Sequence, residues 1–415
     1  MPALWLVSLC LLQQPAANPE TSRPKAAPVP RVVALAAPES DSGRYPSLAV
    51  GPDGSVHGLW TSRDGGASVL LHARFSDGAW TAPDEVARGP RWFVNWADFP
   101  QVCVAADGTV MATWLQRTDE GGYDYAVQYA LRGPEAAAWS APRRLHSHEG
   151  SGEHGFVSLL PENDGFRAVW LDGRNTAAAQ ASGGGAPLVD GHGHGDGAMA
   201  LYTAHVTRDG SVRDERALDE RVCDCCATTV VGLPGGGWGV AYRDRSEDEV
   251  RDIGWVTGGG SADGIPADGW RIAACPVNGP HSARNGERVA VAWFTMGVEQ
   301  RPDCRLAVRG EAGTFGFTLD FDLGNPVGRA AVCAWPDGGF LLAWMEESEE
   351  GAWWMARSWS PESGLSEAVR IGAAPGGRAS GFLRLAPLAD GALAAWTEPR
   401  EGRILCARLR VPASD

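Results

Sequence analysis

The chain has 415 residues, 36 Lys and Arg against 51 Asp and Glu, and a formal net charge of −15. An acidic surface repels phosphate backbones, which excludes general nucleic-acid binding, and 44% hydrophobic against 21% charged residues excludes a disordered chain. The length exceeds one small core, and 54 Gly with 18 Trp point to a turn-rich all-β chain of several domains or one closed repeat architecture.

Residues 3–12 read ALWLVSLCLL, an apolar run of signal-peptide length that is too short to span a bilayer, although no basic segment precedes it. A cleavage site near Ala16-Ala17 makes 1–17 a signal peptide and 18–30 a Pro-rich linker. This predicts an exported protein, periplasmic or extracellular, and no later segment is long and apolar enough to be transmembrane. Loss of Cys10 with the signal leaves eight of the nine cysteines, an even count that an oxidising compartment permits to pair.

RVVALAA (31–37) is an apolar strand without a neighbour in sequence. After it, one pattern recurs seven times: an apolar strand, a Gly-containing turn, and a second apolar strand ending in an aromatic residue. The copies lie at 46–60, 100–114, 157–170, 228–242, 283–293, 330–344 and 383–396, and close on Trp60, Trp114, Trp170, Tyr242, Trp293, Trp344 and Trp396. Successive aromatics are 51 to 56 residues apart, except for 72 between Trp170 and Tyr242, where a Gly/Ala-rich insertion (176–198) carries GHGHGDG. The D-G and G-G pairs supply the positive φ of tight hairpin turns. A third and a fourth strand follow, as in VLLHARF (69–75) and YAVQYAL (125–131). Four antiparallel strands, a to d in chain order, make a propeller blade, which buries its faces only by stacking on its neighbours. The seventh copy stops after its third strand, ILCARLRV (404–411), so the strand at 31–37 supplies the fourth and closes the ring without exposed edges. The expectation is one all-β, seven-bladed propeller over 31–415, with six blades as the alternative, and a monomer. The seven aromatics are expected to pack between blades.

The phrases SDGAWTAP (76–83), ADGW (267–270) and SWSPESG (358–364) are degenerate Asp-box phrases. With the blade pattern, they make the chain resemble the sialidase superfamily of BNR-repeat propellers over nearly its whole mature length. Arg44-Tyr45-Pro46 resembles the Arg-x-Pro motif whose arginine begins the sialidase carboxylate-binding triad. Asp64 falls in the b–c loop where sialidases place their acid/base aspartate. The resemblance implies an exo-sialidase-like glycoside hydrolase acting on acidic glycans, with Asp64 or Asp98 as acid/base and Arg44 with Arg329 holding a sugar carboxylate. It also implies a tyrosine nucleophile late in the chain, yet none of the six tyrosines follows Tyr242. The phrases LDERVCDCCATT, AYRDRSEDEVRDI and DGWRIAACPVNGP are similar to a bacterial sialidase-like branch carrying a C-x-C-C motif.

Loop parity sorts the remaining chemistry. The d–a and b–c loops share one face of a propeller, and the Asp-box turns share the other. The first face collects Arg44, Trp96, Asp98, His154, Cys223, Cys225, Cys226, Cys275 and His281 from d–a connections, with Asp64, His192, His194 and Arg243 from b–c loops. These converge on the mouth of the central channel, where a ligand pocket is expected. Arg44, Trp96, Arg243 and Arg329 are its candidate ligand-binding residues. Thiols at i and i+2 can chelate one soft metal, and thiolates select copper, as Cu(I), or zinc. Cys275 occupies the equivalent connection of the next blade, and His154 and His281 would add nitrogens from flanking blades. Disulfide bonding, for example of Cys223 or Cys226 to Cys275, comes ahead of the metal because the chain is expected to be exported, with a strained Cys225–Cys226 bond and a reactive thiol as further alternatives. Cys103, Cys333 and Cys406 lie inside strands and read as buried small hydrophobes. Three functions remain open: a ligand- or metal-binding propeller of the cell envelope, a glycan-active hydrolase, and a protein-interaction propeller.

Overall fold

The computed structural model describes residues 26–39, 42–118, 124–176, 198–261, 264–310, 313–377, 379–398 and 402–412. The expected signal peptide, Cys10, most of the Pro-rich linker, and His192 and His194 lie outside the described residues.

Short alternating apolar runs between Gly-containing turns fold into seven antiparallel sheets in chain order. Their inner strands are Arg44–Val50, Gln101–Val104, His154–Glu162, Thr229–Gly232, His281–Asn285, Pro326–Ala334 and Arg384–Leu388. The fold is therefore a seven-bladed β-propeller, and the six-bladed alternative falls. Arg31–Leu35 pairs antiparallel with Ile404–Arg410, from Arg31 opposite Arg410 to Leu35 opposite Cys406, and completes blade 7. The Asp-Gly turns work as their chemistry dictates. Gly54 and Gly108 take φ of 80° and 88°, while Asp53 and Asp107 accept from the backbone N–H two residues on, at 3.0 and 2.9 Å.

All seven closing aromatics are buried. Trp170 and Trp293 also donate their indole N–H to Asp172 at 2.8 Å and Asp268 at 2.6 Å, so the polar atom of each ring is satisfied inside the packing. The apolar clusters bridge neighbouring blades; one joins Met111 and Leu131 of blade 2 to Phe166 and Trp170 of blade 3. Cys103, Cys333 and Cys406 are buried within such clusters. No described helix is long and apolar enough to cross a membrane.

Candidate functional site

Inner strands begin on one face, so the connections entering them meet there. A cavity of about 160 Å³ is walled by five of these connections, through Trp96, Asp98, Glu153, Cys225, Cys275 and Ala379. Two features distinguish it: a row of thiols and a fully buried carboxyl group.

The thiols come from Cys223 to Cys226, at the end of the outer strand Val212–Val222 of blade 3. Cys223 N–H donates to Arg243 O at 3.0 Å, which anchors the loop to blade 4. The Sγ of Cys223 lies 3.9 Å from that of Cys225 and 3.4 Å from that of Cys226. All three Sγ atoms fall within 4.8 Å of one another. These separations far exceed an S–S bond of about 2.05 Å. The eight described cysteines are all free thiols, so the expected disulfides are not formed. Cys275 adds a hydrogen bond to Cys225.

Positive charge backs the cluster. Arg251 donates to Cys223 Sγ at 3.2 Å and is held by Glu249 at 2.7 Å. Arg245 ties Asp224 at 2.9 Å to the same Glu249 at 2.7 Å. Burial pushes the Cys223 thiol up to about 11, and burial with its sulfur neighbours raises Cys225 well above the thiol range. Burial acts on Cys226 in the same direction, but hydrogen bonds from Cys223 and Cys225 and the charge of Arg243 outweigh it and hold Cys226 well below that range.

Asp98 is fully buried. It accepts from Phe156 N–H at 2.8 Å and from Tyr125 O–H at 3.3 Å. Removal from water outweighs both bonds and raises its carboxyl to about 7. Trp96 lies beside it, with Arg329 stacked 4.9 Å from the indole centre.

The other expected site residues are dispersed. His154 is buried 3.8 Å from the parallel ring of His146 and within reach of His148 at 3.2 Å and Asp172 at 3.5 Å. Its neighbours are histidines and a carboxylate, not the thiols. His281 lines a separate cavity of about 190 Å³ on the channel axis. Arg243 does not point into a pocket. It donates to Asn278 O at 2.8 Å, Arg251 O at 2.6 Å and Phe294 O at 2.6 Å, and covers Trp270. Arg329 is likewise buried and committed to Val277 O, Asn278 and Ser380. Arg44 is exposed in a surface pocket with Ser62 and Arg63. Asp64 is exposed and paired with Arg88 at 3.1 Å. Arg44 and Asp64 thus do not meet Asp98, and Arg44 does not share a cavity with Arg329. Sequence reasoning missed Arg251 and Tyr125. Arg251 lay in a charge-dense stretch that reads as a solvated loop, and Tyr125 in an ordinary strand pattern.

No protein-family model matches the chain, and no curated protein matches it in sequence. Among solved structures, the polysaccharide lyase Uly1 is similar over 96% of this chain and 94% of its own, at 10% identity and a TM-score of 0.52. The β-propeller domain of the Trilobed protease from Pyrococcus furiosus is similar over 88% of this chain and 95% of its own, at 10% identity and a TM-score of 0.47. An α-L-arabinofuranosidase from Lactobacillus brevis is similar over 79% of this chain and 95% of its own, at 8% identity and a TM-score of 0.37. At such identities the likeness shows the propeller and no finer family.

Proposed function

We propose that this chain is a ligand-binding propeller of the cell envelope whose functional centre is the cysteine-walled pocket. In this reading Cys223, Cys225 and Cys226 hold one soft metal ion, Cu(I) or zinc, with Cys275 nearest the fourth position. The observation that carries it is the spacing of the sulfurs. Four sulfurs at about 2.3 Å around a tetrahedral ion stand about 3.8 Å apart. The observed separations of 3.9 and 3.4 Å already approach that arrangement. Arg251 and Arg243 offset the charge of several thiolates, and burial excludes competing water. Export and a monomeric state belong to the same reading.

The test is the metal content of natively purified protein against Cys225→Ser and Cys223→Ser. Near-stoichiometric copper or zinc, lost in both variants, is the expected result. Equal content in all three, or none in any, would overturn the reading.

A second reading rests on Asp98. A carboxyl that keeps its proton near neutrality, beside Trp96 and Glu153, is suited to general acid work on a bound glycan. It uses Asp98 and not Asp64. Depolymerisation of acidic polysaccharides that disappears in Asp98→Asn would favour it over the metal-binding reading.

A further inference from the structure

The cavity on the propeller axis is separate from the cysteine pocket, and its lining is unusual for the middle of a β core. Arg384 opens the inner strand of blade 7 and borders this space. Among the described residues its Nε has no hydrogen-bond partner and no carboxylate forms an ion pair with it. The aromatic rings of Phe99, at 4.3 Å, and Phe382, at 5.8 Å, flank it. By contrast, Arg243, Arg245, Arg251 and Arg329 bond carboxylates, carbonyls or a thiol. A guanidinium taken out of water without a partner is costly, and such groups normally find an anion.

Two further groups in the lining, His281 and the Thr229–Ser282 pair, also present donors. Val332 N–H donates to His281 Nδ1 at 3.3 Å, so the ring proton sits on Nε2, which has no partner among the described residues. The ring stays neutral at ordinary pH, because burial and the charge of Arg384 hold it down to about 3. Thr229 and Ser282 hydroxyls pair at 2.7 Å, and Thr229 Oγ1 also accepts from Ser282 N–H at 3.2 Å. One hydrogen of two paired hydroxyls is shared between them, so the other remains for a ligand. Asp98 closes the cavity toward the cysteine pocket. Its carboxyl, raised to about 7, is protonated below neutrality and does not then oppose a negative guest.

We propose that this axial cavity is a binding site for one small oxyanion, a carboxylate or a phosphate, held by Arg384, His281 Nε2–H and the Thr229–Ser282 hydroxyl pair. The volume of about 190 Å³ admits a small anion with a few waters. The site does not depend on the metal-binding reading, since it shares no sulfur with it.

Calorimetric titration of the full chain with sodium acetate and with inorganic phosphate, against chloride at matched ionic strength, tests this. Saturable one-to-one binding of either anion is expected, and the stronger of the two identifies carboxylate or phosphate chemistry. Arg384→Met should weaken it by at least about ten-fold, and Arg384→Lys by less, because the charge remains while the fork is lost. A structural arginine and an anion-binding one also predict opposite effects on stability. In anion-free buffer Arg384→Met should melt at or above the wild-type temperature, because a half-buried cation with no carboxylate partner among the described residues is removed. Absence of saturable heat with both anions would overturn the proposal. So would undiminished binding by Arg384→Met, or a lower melting temperature of that variant in anion-free buffer.

Discussion

Two buried ionisable side chains behave oppositely because of what surrounds them. Arg243 is buried but places four of its five N–H donors on three backbone carbonyls from three separate segments, and so serves as a rivet between blades 4 and 5. Arg243→Met would leave those carbonyls dry and should cost about 3–5 kcal/mol in urea unfolding. Hydrogen bonds from Cys223 and Cys225 hold Cys226 down first and the Arg243 charge adds to them, so the same change should raise the pH midpoint of thiol alkylation. Arg243→Lys, which keeps the charge, should raise it less. Asp98 has no charge partner among the described residues, and burial dominates its titration. Its folded pKa of about 7 lies above the unfolded value of about 3.9, so between these pH values only the folded state keeps the proton. Stability from this group is therefore fully present below about pH 4 and is lost as pH rises through 7. Asp98→Asn should flatten that slope. Comparing urea unfolding of the two proteins at pH 5 and pH 8 should show a relative gain for the variant at pH 8 of about 2–3 kcal/mol.

At the scale of strands and connections, glycine makes the close approaches at the site. Gly155 lies where the inner strand of blade 3 shifts register, and a Cβ there would stand 1.9 Å from Asp98 Oδ2 and 3.0 Å from the Tyr125 ring. Gly155→Ala must displace the carboxyl it shelters, and should cost about 1–3 kcal/mol while moving the Asp98 titration. Gly66→Ala, where a Cβ meets open space, is the neutral control. Thermal melts of both variants across pH separate the two effects. These elements also show what the sequence could reveal. Period-two apolar runs and Asp-Gly turns are local, so strands, blade count and the loop-bearing face were legible from them. Cys223, Cys225 and Cys226 are close in sequence and necessarily close in space. The partners of His154 and Arg243 were not legible, because each is chosen by packing across blades. A guanidinium near a strand end can equally enter a pocket or cap carbonyls, and only the neighbouring blade decides. Parity gave His281 a face but not its depth along the channel.

A propeller gains stability by closing, since each blade buries both faces only when the ring is complete. Here the closure joins the two ends of the described chain. Arg31–Leu35 adds the outer strand of blade 7, and the segment before it is fixed to blade 6 where Ser358 Oγ donates to Pro28 O at 2.6 Å. Blade 7 in turn packs Leu393, Ala395 and Cys406 against Val56 and Trp60 of blade 1. Removing residues 26–37 should therefore act at two scales. It strips the ladder partner from Ile404–Arg410 and leaves an unpaired edge open to other chains. It also loosens the blade that seals the ring. Scanning calorimetry of the truncated chain should show a melting temperature lower by several degrees, and sedimentation should show self-association. Adding a peptide of residues 26–37 in trans should restore both in proportion to its concentration. An unchanged melting temperature without the strand would mean that packing between blades 7 and 1 closes the ring without the added strand.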